Sequence, residues 1–93
     1  MIYVDKIEHY PACRLKTKYW CHMSTDGSLE ELHEMALRIG LQRSWFQDKT
    51  THPHYDLTPN KRALAIKYGA QAVTAIELIE HCYPVLWRVA QGK

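Results

Sequence analysis

Residues 28–47 read SLEELHEMALRIGLQRSWFQ, and their period changes partway. Ser28 and Glu31 stand at the spacing of a capping box, in which each side chain satisfies a backbone donor at a helix start. Leu29, Leu32, Ala36 and Ile39 then recur on one helical face. Gly40 follows, the residue type best suited to the left-handed turn that ends a helix. This predicts a helix over about residues 29–39. Arg43–Gln47 brings bulky apolar neighbours, Trp45 and Phe46, side by side. That pattern reads as a strand covered on both faces.

The same alternation extends in both directions. Ile2-Tyr3-Val4 is a β-branched and aromatic run closed by Asp5, and it reads as a first strand. Residues 6–25 carry Pro11 and several aromatic and basic residues without a clear period, and they read as a long structured loop. After a polar loop from Asp48 to Asp56, Thr58 caps a second helix with Pro59 at its first position and Gly69 at its end. Ala72-Val73 forms a short third strand. Thr74 and Glu77 open a third helix with a stripe of Ile76, Ile79, Tyr83 and Leu86, which Pro84 should kink or split. The expected fold is a small α/β domain over residues 1–93, with two or three layers. It has a short, mostly parallel sheet and about three helices in the order β-α-β-α-β-α.

Composition narrows the class. Apolar residues make up 46% of the chain and charged residues 24%, which argues for a folded globular protein. The formal charge of only +2 takes weight from sequence-independent nucleic-acid binding. Cys13, Cys21 and Cys82 are odd in number and lack C-x-x-C spacing, which suits reduced thiols in a cytoplasmic protein better than a disulfide framework. The N-terminus lacks a signal pattern, and no apolar run is long enough to span a bilayer. So small a domain gains from self-association, which makes a homo-oligomer a reasonable expectation.

In open parallel sheets, ligands gather beyond the carboxyl ends of the strands. Asp5, Gln47 and Thr74 hold that address. The densest polar stretch, His52-Pro53-His54-Tyr55-Asp56, follows the expected second strand. In an extended segment His52, His54 and Asp56 point to one side. Such a row can share a divalent metal, transfer protons near neutral pH, or simply shape a loop. His22 precedes the first helix, and His33 lies at the edge of its stripe. Arg14, Lys16 and Lys18 alternate along one face and suit an anion or plain solvation. Lys61 and Arg62 crowd a helix start, where cations are disfavoured unless an anion such as Asp56 or a phosphate lies near. Trp45 and Phe46 read as core. Trp20 or Tyr55 suits stacking on a base or sugar, although aromatics are core more often than not.

Tyr3-Val4-Asp5, Trp20 with His22, Glu31-Leu32-His33, Trp45-Phe46-Gln47, His52 through Thr58 and Lys61-Arg62 resemble a family of short bacterial and bacteriophage proteins, domain-of-unknown-function family 4031. The resemblance covers residues 2–73. It implies an intracellular bacterial or phage protein and brings no activity or cofactor with it.

The leading expectation is a site for a nucleotide or other phosphorylated small molecule. Asp5, His22, His33, Gln47, His52, His54, Tyr55 and Asp56 would form it, and Arg14, Lys16, Lys61 and Arg62 would neutralise the ligand. Catalysis would be hydrolysis or transfer at a phosphoester or glycosidic bond, with His54 as general acid/base oriented by Asp56. The rivals are a non-enzymatic nucleotide binder, a protein-interaction module and a metal-dependent nuclease. No P-loop, nucleophile elbow or H-E-x-x-H motif decides among them.

Overall fold

A computed structural model describes residues 1–92. Its strands are β1 (Ile2–Val4), β2 (Glu8–His9), β3 (Tyr19–Thr25), β4 (Tyr55–Leu57) and β5 (Gln71–Ala72). Its helices are α1 (Leu29–Arg38), α2 (Pro59–Lys67), α3 (Ala75–Cys82) and α4 (Pro84–Ala90), with a 3-10 turn at Arg43–Trp45. The α/β class holds, but the sheet is mixed rather than mostly parallel. Among the described residues only β1 and β5 run parallel, whereas β3 pairs antiparallel with β1, β2 and β4.

The segment expected to be a loop, residues 6–25, contains β2 and the longest strand, β3. Met23 is the register partner of Val4 in β1 and of Tyr55 in β4, so β3 lies between those strands. Its alternation is real but chemically blurred. Cys21 and Met23 are buried in the core, while Trp20, His22 and Ser24 occupy the other face. The indole of Trp20 on the polar face hid the period.

Arg43–Gln47 is not a strand. After Gly40, at a φ of 86°, the chain turns Leu41 into the core and coils through the 3-10 turn. Phe46 packs against the rings of His33 and Tyr55, with centroids 4.7 and 5.3 Å away, while Trp45 remains half exposed. Gln47 then makes a lone antiparallel bridge to His54. The apolar pair was therefore divided between inside and outside, not buried together.

The helices follow their signals more closely. Ser28 caps α1 and Thr58 caps α2, each through its side-chain oxygen. Thr74 and Glu77 form a complete capping box on α3. In α1 the box is half made, because Glu31 turns its carboxylate to the Met1 amine, 2.7 Å away. Pro84 splits the expected third helix and occupies the start of α4, which accounts for the fourth helix.

Ile2, Val4, Cys21, Met23, Tyr55 and Leu57 from the sheet pack with Leu32 and Ala36 of α1 and Ala65 of α2 in one core. The helices α3 and α4 lie on the opposite face, where His81 stacks on Tyr3 at 4.7 Å and Leu78 is buried. They cover only part of that face. No helix of the described residues is long and apolar enough to cross a membrane.

Candidate functional site

Strand register builds the site. His22 of β3 lies directly opposite Asp56 of β4, and directly opposed side chains on one sheet face are close neighbours. Asp5, just past β1, reaches His22 from the other edge. The Asp5 Oδ1 accepts the His22 backbone N–H at 2.6 Å, and its Oδ2 lies 2.8 Å from His22 Nδ1. His54 stands two residues before Asp56, hence on the same face, with its Nε2 3.4 Å from Asp56 Oδ1. His22 Nε2 lies 4.0 Å from the same oxygen.

A bulge assists this placement. Val4 pairs with Met23 and Glu8 with Trp20. Asp5, Lys6 and Ile7 therefore face only His22 and Cys21 on β3, one residue too many. Extra residues of this kind re-aim side chains and occur often beside working sites. Here the bulge lets both Val4 and Ile7 pack toward the core while Asp5 turns to the other face. Asp5 is almost fully buried, and Arg62 Nε donates to its backbone carbonyl at 2.7 Å.

The hydrogen bonds dictate the tautomers. A carbonyl only accepts, so the 2.8 Å contact between His54 Nδ1 and the His52 carbonyl oxygen puts the proton on Nδ1. The buried Asp5 carboxylate does the same for His22. In the neutral imidazoles both Nε2 atoms are then bare lone pairs, and both face the Asp56 carboxylate. The hydrogen bond to Asp5 raises the His22 pKa above its ordinary value, against the opposing effect of burial.

His22, His54 and Asp56 each offer a ligand atom, and these atoms lie within 4.8 Å of one another. Two histidines and one carboxylate are a common set for zinc or non-haem iron. The outer contacts also fit, since metal-bound histidines usually donate their second N–H to a carboxylate or carbonyl. His52 was expected among the ligands. Its side chain instead contacts Thr51 Oγ1 at 3.0 Å, and its carbonyl positions His54.

Three clefts meet at this cluster, two of them at its histidines. One, of about 450 Å³, is walled by the β2–β3 loop through Tyr10, Cys13 and Leu15 and floored by Trp20, His22, His54 and Asp56. The other, of about 220 Å³, lies between Asp5, His22, His52 and His54 on one side and Tyr83 with apolar side chains of α3 and α4 on the other.

The remaining expected residues are distributed differently. His33 and Tyr55 belong to the opposite side of the sheet, where His33 Nδ1 lies 2.8 Å from the buried Tyr55 hydroxyl. Burial, then the nearby Arg43, lowers the His33 pKa. Arg14 and Lys16 are exposed on the β2–β3 loop. Lys18 donates to the Cys13 carbonyl, and Lys61 Nζ to the Ile39 carbonyl at 2.8 Å. Gln47 lines a third cleft that shares Asp56. The site thus lies on a sheet face, not beyond parallel strand ends, because the sheet is mixed. Reading residues 6–25 as a loop concealed the opposition of His22 and Asp56. Burial pushes the Cys21 and Cys82 thiols up to about 12, so neither supplies a thiolate near neutral pH.

The family model described as "Protein of unknown function (DUF4031)" matches residues 2–83. No curated protein and no solved structure matches the chain. The chain belongs to the DUF4031 family.

Proposed function

We propose that this DUF4031 protein binds a divalent transition metal through His22 Nε2, His54 Nε2 and an Asp56 carboxylate oxygen, and uses it to hydrolyse a small anionic phosphoester. One observation carries the reading. In their neutral forms, two imidazoles turn their Nε2 lone pairs toward one carboxylate while both Nδ1 atoms are committed to other acceptors. Lone pairs facing one another in this way call for a cation. Three protein ligands leave a further position for water, the arrangement of catalytic rather than closed structural sites. A metal there would lower the pKa of that water and polarise a phosphoryl oxygen. Asp5 fixes the His22 ring and strengthens it as a ligand, and the His52 carbonyl does the same for His54. Arg14 and Lys16 line neither cleft but stand exposed on the loop that walls the one of about 450 Å³, and charge of that sign draws an anionic substrate.

One observation favours a metal-free alternative. The Asp5–His22 contact is a carboxylate-oriented histidine, the arrangement of a general base. On that reading His22, rather than His54, takes the proton, because the buried carboxylate backs His22.

Hydrolysis of p-nitrophenyl phosphate and nucleoside monophosphates by the full chain separates the two. The metal reading expects activity that EDTA stops and Zn²⁺ or Mn²⁺ restores. Activity indifferent to EDTA but lost in Asp5→Asn would support the metal-free base.

A further inference from the structure

A cleft of about 550 Å³ adjoins the cluster on the far side of Asp56, within the roughly 300–1,000 Å³ usual for small-molecule sites. Trp20, Trp45 and Leu15 line it, and its polar lining includes Gln47, Lys61 and the Asp56 carboxylate. Trp45 is 50% exposed and Leu15 60%. Single exposed apolar side chains need no explanation, but two indoles and a leucine lining one concavity form an apolar surface with a specific shape.

The polar groups are held in place yet remain available. Gln47 is anchored by its backbone, donating to the His54 carbonyl at 2.8 Å and accepting from the His54 N–H at 3.2 Å. No hydrogen bond among the described residues engages its side-chain amide, which offers both a donor and an acceptor. Trp20 Nε1 donates to the Thr17 carbonyl at 3.0 Å, which fixes the indole plane. Lys61 spends one N–H on Ile39 and retains charge for an anion.

The geometry points to a base-binding subsite. The cleft between Trp20 and Trp45 receives the planar base of a nucleoside monophosphate, with Gln47 bonding the base edge and the phosphate directed over Asp56 toward His22 and His54. Three features favour this occupant over an apolar peptide side chain. Indole faces stack on any base. An unengaged amide suits the donor–acceptor edge of a base. Asp56 is common to this cleft and the metal-ligand cluster, and Lys61 in its lining has the sign that suits a phosphate. The assignment names the substrate class of the site proposed above and rests on that reading for the phosphate position alone.

Binding of AMP, GMP, CMP and UMP to the full chain, read by isothermal titration and by the indole N–H resonances, tests it. Ribose 5-phosphate serves as the baseless control. At least one nucleoside monophosphate should bind about tenfold or more tightly than ribose 5-phosphate, and Trp45→Ala should erase most of that difference, in line with base–aromatic stacking. Trp45→Phe should retain it, and Gln47→Ala should change the preference among bases. Trp45 is half exposed, and circular dichroism checks that its variants fold. Equal binding of the nucleotides and ribose 5-phosphate, no binding at all, or a preference untouched by Trp45→Ala would overturn the subsite. Zn²⁺ uptake by the unmodified chain, measured alongside, separates the two readings. Uptake without base preference removes only the subsite, and base preference without uptake removes only the metal.

Discussion

The two faces of the β3–β4 pair carry histidines in opposite circumstances. On the α1–α2 face, His33 Nδ1 meets the hydroxyl of Tyr55, a residue with no exposed surface, and the His33 ring abuts Phe46. On the other face, His22 Nδ1 meets the buried carboxylate of Asp5, and its Nε2 opens toward His54, Asp56 and a cleft. Both histidines use Nδ1 and both sit beside a tyrosine- or acid-bearing strand. What differs is the far nitrogen and the partner's charge. A neutral hydroxyl in a core satisfies a histidine and ends the matter. A charged acceptor makes its histidine a better ligand, and a neighbouring second imidazole gives it something to share. The alternation of a single strand, Tyr55 inward and Asp56 outward, separates structural from chemical roles by one residue.

The sharpest break between the faces comes from Met23→Ala and His22→Ala. Met23 is wholly buried in the core, and its truncation should cost about 2–5 kcal/mol of unfolding free energy in urea titrations, with metal uptake retained by the folded fraction. His22→Ala should do the reverse. Its side chain is 39% exposed, so circular dichroism should show a folded chain, while Zn²⁺ retention after dialysis disappears. A His22→Ala protein that still retains the metal would remove His22 from the ligand set.

Asp5→Asn sharpens the comparison, because it keeps the shape and removes the charge behind His22. Loss of such an outer partner weakens metal affinity by about 10–100-fold, readable by competition with a chromogenic chelator. Tyr55→Phe makes the matching change on the core face. It should cost about 1–2 kcal/mol by leaving His33 Nδ1 without its partner and should leave metal affinity unchanged. If Tyr55→Phe weakened the metal as much as Asp5→Asn, the two faces would not be independent.

The smallest effect concerns pH. Burial and Arg43 lower the His33 pKa, with Asp48 and Glu30 acting weakly the other way. The unfolded chain therefore binds a proton at His33 more readily than the folded one. That contribution to stability is complete above the ordinary histidine value of about 6.5 and declines as pH falls below it toward the lowered folded value. Thermal midpoints from pH 7.5 to 5.5 should fall less steeply in His33→Gln than in the unmodified chain, and equal slopes would refute the assignment.

Much of this is legible in the sequence. Ser28, Thr58 and Thr74 cap the helices expected of them, because capping is a local matter of a few adjacent atoms. Of the row expected of His52, His54 and Asp56, the last two lie together, whereas the His52 ring turns to Thr51. The sheet did not follow, since β3 has a tryptophan on its polar face and β2 is only a pair of residues held by register. Trp45-Phe46 misled for a related reason. Adjacent bulky residues fit a doubly covered strand, but a 3-10 turn can bury one and expose the other. His22 was visible as a candidate, yet its pairing with Asp56 is a fact of register between segments more than thirty residues apart. No spacing rule encodes that pairing.

Isothermal titration of the metal-free chain with Zn²⁺ at neutral pH is the most direct test. Uptake of about one equivalent per chain is expected, accompanied by proton release from His22, whose pKa the Asp5 hydrogen bond raises, with loss of that uptake when His54 and Asp56 are both replaced by alanine. Uptake no greater in the unmodified chain than in that double variant would contradict it.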